Sequence, residues 1–83
     1  MTLITDNGSL ASACERLSKE VYLSVDTEFM REKTYYPRVC LIQISGETEA
    51  IAVDALSPGI NLAPVFQLLH DPAILKVFHA CRQ

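Results

Sequence analysis

The sequence predicts an α/β fold on a mixed sheet: an antiparallel three-strand meander, a crossover helix and a parallel fourth strand. Three observations carry this. Helical and period-2 apolar patterns follow one another in the order helix, three strands, helix, strand. Apolar residues make up 49% of the chain and charged residues 20%, with only three Gly and four Pro, which excludes disorder and low-complexity linkers. A length of 83 residues leaves room for one domain at most, whose core must be efficient or completed by a partner.

Leu3 and Ile4 read as either a short strand or a simple arm. Asp6-Asn7-Gly8-Ser9 supplies turn and N-cap chemistry, and Leu10, Cys14 and Leu17 recur at helical spacing. This predicts a helix from about Ser9 to Lys19. Val21, Leu23 and Val25 then alternate with Tyr22, Ser24 and Asp26, a strand running on to Glu28 or Phe29. Met30 to Arg38 breaks the pattern and reads as a loop. Val39 to Ser45 is rich in β-formers, Gly46-Glu47 suits a hairpin turn, and Glu49 to Asp54 returns as the next strand. After Ser57-Pro58-Gly59, the residues Leu62, Val65, Phe66 and Leu69 form a helical stripe from about Asn61 to His70. Asp71-Pro72 stops that helix, and Ile74 to His79 is a last apolar strand. No following helix covers it, so the sequence reads as cut short.

The formal charge is −3 and the pI about 5.2. A protein that grips nucleic acid by bulk electrostatics is normally basic. An acidic chain can still bind phosphates where metal ions supply the positive charge. Cys14, Cys40 and Cys81 are odd in number and widely spaced, without a CxxC or zinc-like spacing, and read as reduced, buried thiols. The first ten residues lack a basic region followed by an apolar run, and no apolar stretch approaches the ~20 residues of a membrane helix. These features predict a cytoplasmic setting with no membrane contact.

Asp26 and Glu28 lie two apart near a strand end, so both carboxylates share one face, about 7 Å apart along the backbone. Paired oxygens of this kind suit Mg²⁺ or Mn²⁺ rather than zinc or copper. One carboxylate can bridge two ions while the other binds one, as in two-metal phosphoryl chemistry. The spacing alone is weak, because a solvated strand end offers the same residues. In the 31–38 loop, Arg31 and Lys33 are candidates for the backbone of a single strand. Tyr35 and Tyr36 read better as rings folded onto the sheet.

The neighbouring segments sharpen the reading. Val25-Asp26-Thr27-Glu28-Phe29, Thr34-Tyr35-Tyr36-Pro37, Cys40-Leu41-Ile42-Gln43-Ile44 and Lys76-Val77-Phe78-His79-Ala80 occur in that order and spacing. Over essentially its whole length the chain closely resembles the ribonuclease D family of DEDD-type 3′–5′ exonucleases. The resemblance implies a partial ribonuclease H-like fold with the D-x-E strand central, residues 1–83 being the N-terminal portion of a 3′–5′ exonuclease domain. It implies catalytic and metal-binding roles for Asp26, which would bridge two divalent ions, Mg²⁺ or Mn²⁺, and for Glu28, which would complete the first. It implies a substrate-binding role for Thr27, which falls inside the same motif. Phe29 stands where the family places a side chain against the terminal nucleotide, with core packing as the alternative. His79 matches a segment leading into the second motif, either as a substrate contact or as a strand-end histidine with a satisfied hydrogen bond.

The implied activity removes nucleotides one at a time from single-stranded RNA 3′ ends, in the processing of tRNA or other structured RNA. The departure is truncation. The second-motif Asp falls immediately after the segment matching Ala80-Cys81-Arg82-Gln83, and the third motif is absent. Two of four metal ligands are therefore missing, and the 83-residue chain alone is expected to be inactive. The rival readings are a non-catalytic truncated module that self-associates and a DNA-preferring exonuclease with the same motifs.

Overall fold

Asp6 sets the start of the first helix. Its carboxylate accepts hydrogen bonds from the Ser9 backbone N–H at 2.8 Å and the Ser9 hydroxyl at 3.0 Å, satisfying donors that the first helical turn leaves open. In the computed structural model, which describes residues 1–30 and 38–79 but not the side chains of Phe29, Met30, Arg38 and Val39, this helix, α1, spans Asn7–Leu17. It begins two residues before the expected Ser9 because Asp6, not Ser9, is the cap. Before it lies β1 (Thr2–Ile4) and after it β2 (Tyr22–Met30), β3 (Arg38–Ser45), β4 (Ala50–Asp54), α2 (Ala63–His70) and β5 (Leu75–Phe78).

The strands form one mixed sheet in the order β1-β4-β3-β2-β5. The meander β2-β3-β4 is antiparallel, and β5 returns through α2 to lie parallel beside β2, as the sequence predicts. Leu3 and Ile4 belong to a true strand: β1 pairs in parallel with β4, so the sheet has five strands rather than four. Val21 corrects the expected inward row. It lies ahead of β2 and is 82% exposed, so the buried alternation begins at Leu23.

Both helices cover one face of the sheet. Leu10, Ala13, Cys14 and Leu17 of α1 and Val65 and Leu68 of α2 pack with Ile4, Leu23, Ile42, Ile44, Ile51 and Val53. Each fully buried aliphatic side chain contributes roughly 1.5–3 kcal/mol of transfer free energy. Phe66, expected in the α2 stripe, instead faces solvent at 52% exposure, because Leu68 takes the inward position. Burial pushes the Cys14 thiol up to about 11, in keeping with an unreactive core cysteine. Cys40 is half-buried, and Cys81 lies outside the described residues.

Side-chain ties pin the connections. Arg16 donates to both oxygens of Glu49, at 3.0 and 2.7 Å, fastening α1 to the β3–β4 turn. In that turn the Glu20 carboxylate accepts from the Glu47 N–H at 3.1 Å and the Thr48 hydroxyl at 3.3 Å. A Cβ on Gly46 would come within 2.5 Å of that carboxylate, so the turn needs glycine there or a displaced Glu20. Asn7 bridges the start of α1 to the segment before α2, donating to the Gly59 carbonyl and accepting from the Asn61 N–H. Among the described residues no helix is long and apolar enough to cross a membrane.

Candidate functional site

β2 is an interior strand, flanked by β3 and β5. Its period-2 geometry buries Leu23 and Val25 on the face the helices cover and leaves Ser24, Asp26 and Glu28 on the opposite face. The core residues anchor the strand, so the carboxylates are carried on backbone fixed from below. Asp26 stands opposite Gln43 and is half-buried; Glu28 stands opposite Leu41 and is exposed.

β5 ends beside this pair. Its last register partner is Phe78 with Val25, one residue short of Asp26. The chain then leaves through His79, whose N–H donates to the Val25 carbonyl at 3.0 Å and whose ring Nε2 lies 2.8 Å from the Ser24 hydroxyl. The carboxylates thus occupy the opening beyond the end of a parallel strand, the region where open α/β sheets commonly bind ligands.

A second irregularity adjoins Glu28. The β2–β3 register shifts between Glu28 and Phe29, leaving Cys40 as an extra residue on β3. Bulges of this kind re-aim side chains and are common beside active sites.

The expected residues are therefore only partly brought together. Asp26 and Glu28 share a face, and His79 approaches it through Ser24. Thr27 is half-buried on the other face of β2, across from Ile42. The backbone of Phe29 lies in β2 opposite Val39, but its side chain is outside the description. Arg31, Lys33, Tyr35 and Tyr36 lie outside the described residues. Ser24, Gln43 and Cys40 are additions that the sequence reading missed. Ser24 and Gln43 could have been found by extending the D-x-E face along the sheet, whereas Cys40 depends on the bulge.

The donor set fits a hard cation in kind. Both groups are carboxylates, Glu28 exposed and Asp26 half-buried, and among the described residues neither carboxylate has a hydrogen-bond or ionic partner. It is incomplete in number: among the described residues no group of three or more His, Cys, Asp or Glu is placed to hold a metal.

Comparison with known proteins places this arrangement. The family model described as 3′–5′ exonuclease matches residues 1–83. Ribonuclease D of Granulibacter bethesdensis is 52% identical over 82 residues, covering 99% of this chain and 21% of that protein. RNase D of Escherichia coli, an exoribonuclease involved in structured RNA processing, matches with a TM-score of 0.85 and 37% identity, over 94% of this chain and 20% of its own. The catalytic core of RRP6 from Trypanosoma brucei matches with a TM-score of 0.86 and 30% identity, over 95% of this chain and 22% of its own. These neighbours have the ribonuclease H-like fold, as the sequence resemblance implies. The chain spans about a fifth of the length of the curated relatives it matches. With all of its residues matched by the family model and its D-x-E strand inside the sheet, the chain belongs to the 3′–5′ exonuclease family, and the curated relatives it resembles are ribonuclease D proteins.

Proposed function

We propose that the protein bearing this chain is a ribonuclease D-type 3′–5′ exoribonuclease, with residues 1–83 as the N-terminal portion of its exonuclease domain. One observation carries the reading: Asp26 and Glu28 stand uncommitted among the described residues on one face of an interior strand, where β5 ends. The substrate is the single-stranded 3′ end of a cytoplasmic RNA, a tRNA precursor or another structured RNA. Support comes from Escherichia coli RNase D, described as an exoribonuclease involved in structured RNA processing.

Asp26 and Glu28 are the catalytic residues and would hold two Mg²⁺ or Mn²⁺ ions. Bound there, the ions would stabilise charge on the scissile phosphate and lower the pKa of the attacking water. The chain's own part is to concentrate negative charge at a fixed place. Leu23, Val25, Ile42 and Ile44, all buried, hold the strand from beneath, so the carboxylates are set before substrate arrives. A net charge of −3 would repel a polyanion without bound cations. Arg31 and Lys33 would contact the RNA backbone, Phe29 the terminal nucleotide and His79 a further part of the substrate, whereas Thr27, with its side chain on the other face of β2, would serve substrate only through its backbone. With two carboxylates and, among the described residues, no third group placed to hold a metal, the 83-residue chain alone is expected to be inactive.

The test is digestion of 5′-labelled single strands by the full-length protein with Mg²⁺ or Mn²⁺. RNA should shorten from its 3′ end one nucleotide at a time, and the ladder should vanish with EDTA. Faster shortening of the matching DNA strand would favour the DNA-preferring rival, and metal-independent digestion would contradict the site.

A second reading has its own observation. Leu75 and Phe78 of the edge strand β5 are 67% and 62% exposed, and bare apolar edges invite pairing between chains. The isolated 83-residue chain should therefore self-associate. Sedimentation at rising concentration checks this, and a clean monomer throughout would contradict it.

A further inference from the structure

We propose that Cys40 is a positioning residue for Glu28, and that its place in the β3 bulge sets how tightly the carboxylate pair holds a divalent cation. The inference rests on the reading of Asp26 and Glu28 as metal ligands. Glu28 pairs with Leu41 while Phe29 pairs with Val39, so Cys40 is the residue without a partner in that register. It is nevertheless tied on both sides. Its carbonyl accepts from the Ala55 N–H at 3.2 Å, just past the end of β4. Its thiol donates to the Glu28 carbonyl, with Sγ 3.3 Å from the oxygen. Cys40 thus links the end of β4, across β3, to the peptide group of a ligand residue on β2.

The two acids differ in how they are held. Asp26 lies in regular pairing opposite Gln43 and is half-buried, so its direction follows from the ladder. Glu28 is exposed and sits where the ladder slips, so its backbone needs a separate restraint. An S–H donor is weak, yet here it acts on the Glu28 peptide itself, whose rotation swings the carboxylate. A hard cation that demands regular oxygen geometry magnifies such an error.

The experiment measures Mn²⁺ binding to the full-length protein by electron paramagnetic resonance of the free ion, without substrate or turnover. Cys40→Ala should raise the Mn²⁺ dissociation constant about two- to fivefold, the equivalent of losing one weak hydrogen bond. Cys40→Ser keeps a donor and should recover most of the affinity. Arg16→Ala breaks the Arg16–Glu49 tie at the far end of β3 and serves as a control for general loosening, with unchanged Mn²⁺ affinity. An unchanged constant in Cys40→Ala overturns the proposal, as does an equal shift in Cys40→Ser or in Arg16→Ala. Wild-type affinity in Asp26→Asn is a different failure: it removes the metal reading itself, and the proposal with it.

Discussion

Without metal, Asp26→Asn should make the protein more stable. The two carboxylates are two residues apart on one strand face, roughly 7 Å along the backbone. Two like charges at that distance repel by about 0.6 kcal/mol in a water-like dielectric and about 2.4 kcal/mol at an effective dielectric of 20. Glu28 is exposed and Asp26 half-buried, so the relief falls near the lower figure, about 0.6–1 kcal/mol. For a unit of this size that is a rise in Tm of about 2–8 °C. Thermal unfolding of both proteins in EDTA, followed by circular dichroism, reads it directly. Raising the salt from 0.05 to 1 M should shrink the gain, because the screening length falls to ~3 Å. Saturating Mn²⁺ should reverse the order, since the ion stabilises only the protein that binds it. A destabilised Asp26→Asn protein in EDTA, or a gain indifferent to salt, would refute the picture of two neighbouring like charges that have no partner among the described residues.

Leu23→Ala removes a fully buried side chain beneath Ser24 and Asp26 and should cost about 2–5 kcal/mol in urea unfolding; a loss under 1 kcal/mol would mean the strand is not anchored there. Asp6 has a carboxyl held below its usual 3.8, chiefly by the Ser9 N–H, so its contribution is present above that pH and fades as pH falls through the lower folded value. Asp6→Ala should therefore be less stable than wild type at pH 7, and the gap should close in strong acid; a gap that widens in acid would reverse the sign. The 83-residue chain should bind Mg²⁺ only in the millimolar range or not detectably by calorimetry, because two carboxylates do not displace enough of its water; tight stoichiometric binding would point to other ligands.

What the sequence made legible is what local pattern controls. The alternation around Leu23 and Val25 fixes which face Asp26 and Glu28 share, and the parallel direction of β5 follows from the crossover through α2. The short β1 was ambiguous because three residues carry almost no periodicity, and its strand character comes from pairing with β4. Val21 and Phe66 look like core residues by type, but each stands just beyond the inward positions taken by Leu23 and by Val65 and Leu68. The helix start moved because two good caps, Asp6 and Ser9, lie three residues apart and only one can be the cap. Cys40 was hidden for a deeper reason. A bulge is a property of two strands in register, so the residue beside Glu28 cannot be read from either strand alone.

The central claim is that Asp26 and Glu28 supply part of the metal-ligand set of a 3′–5′ exoribonuclease site. The most direct measurement is the single-turnover rate of RNA 3′-end shortening by full-length wild-type protein and its Asp26→Asn variant at matched, saturating Mn²⁺. The account predicts a fall of at least about a thousandfold in the variant, ~4 kcal/mol of lost transition-state stabilisation, with folding intact by circular dichroism. Near-wild-type shortening by a folded Asp26→Asn protein would contradict it.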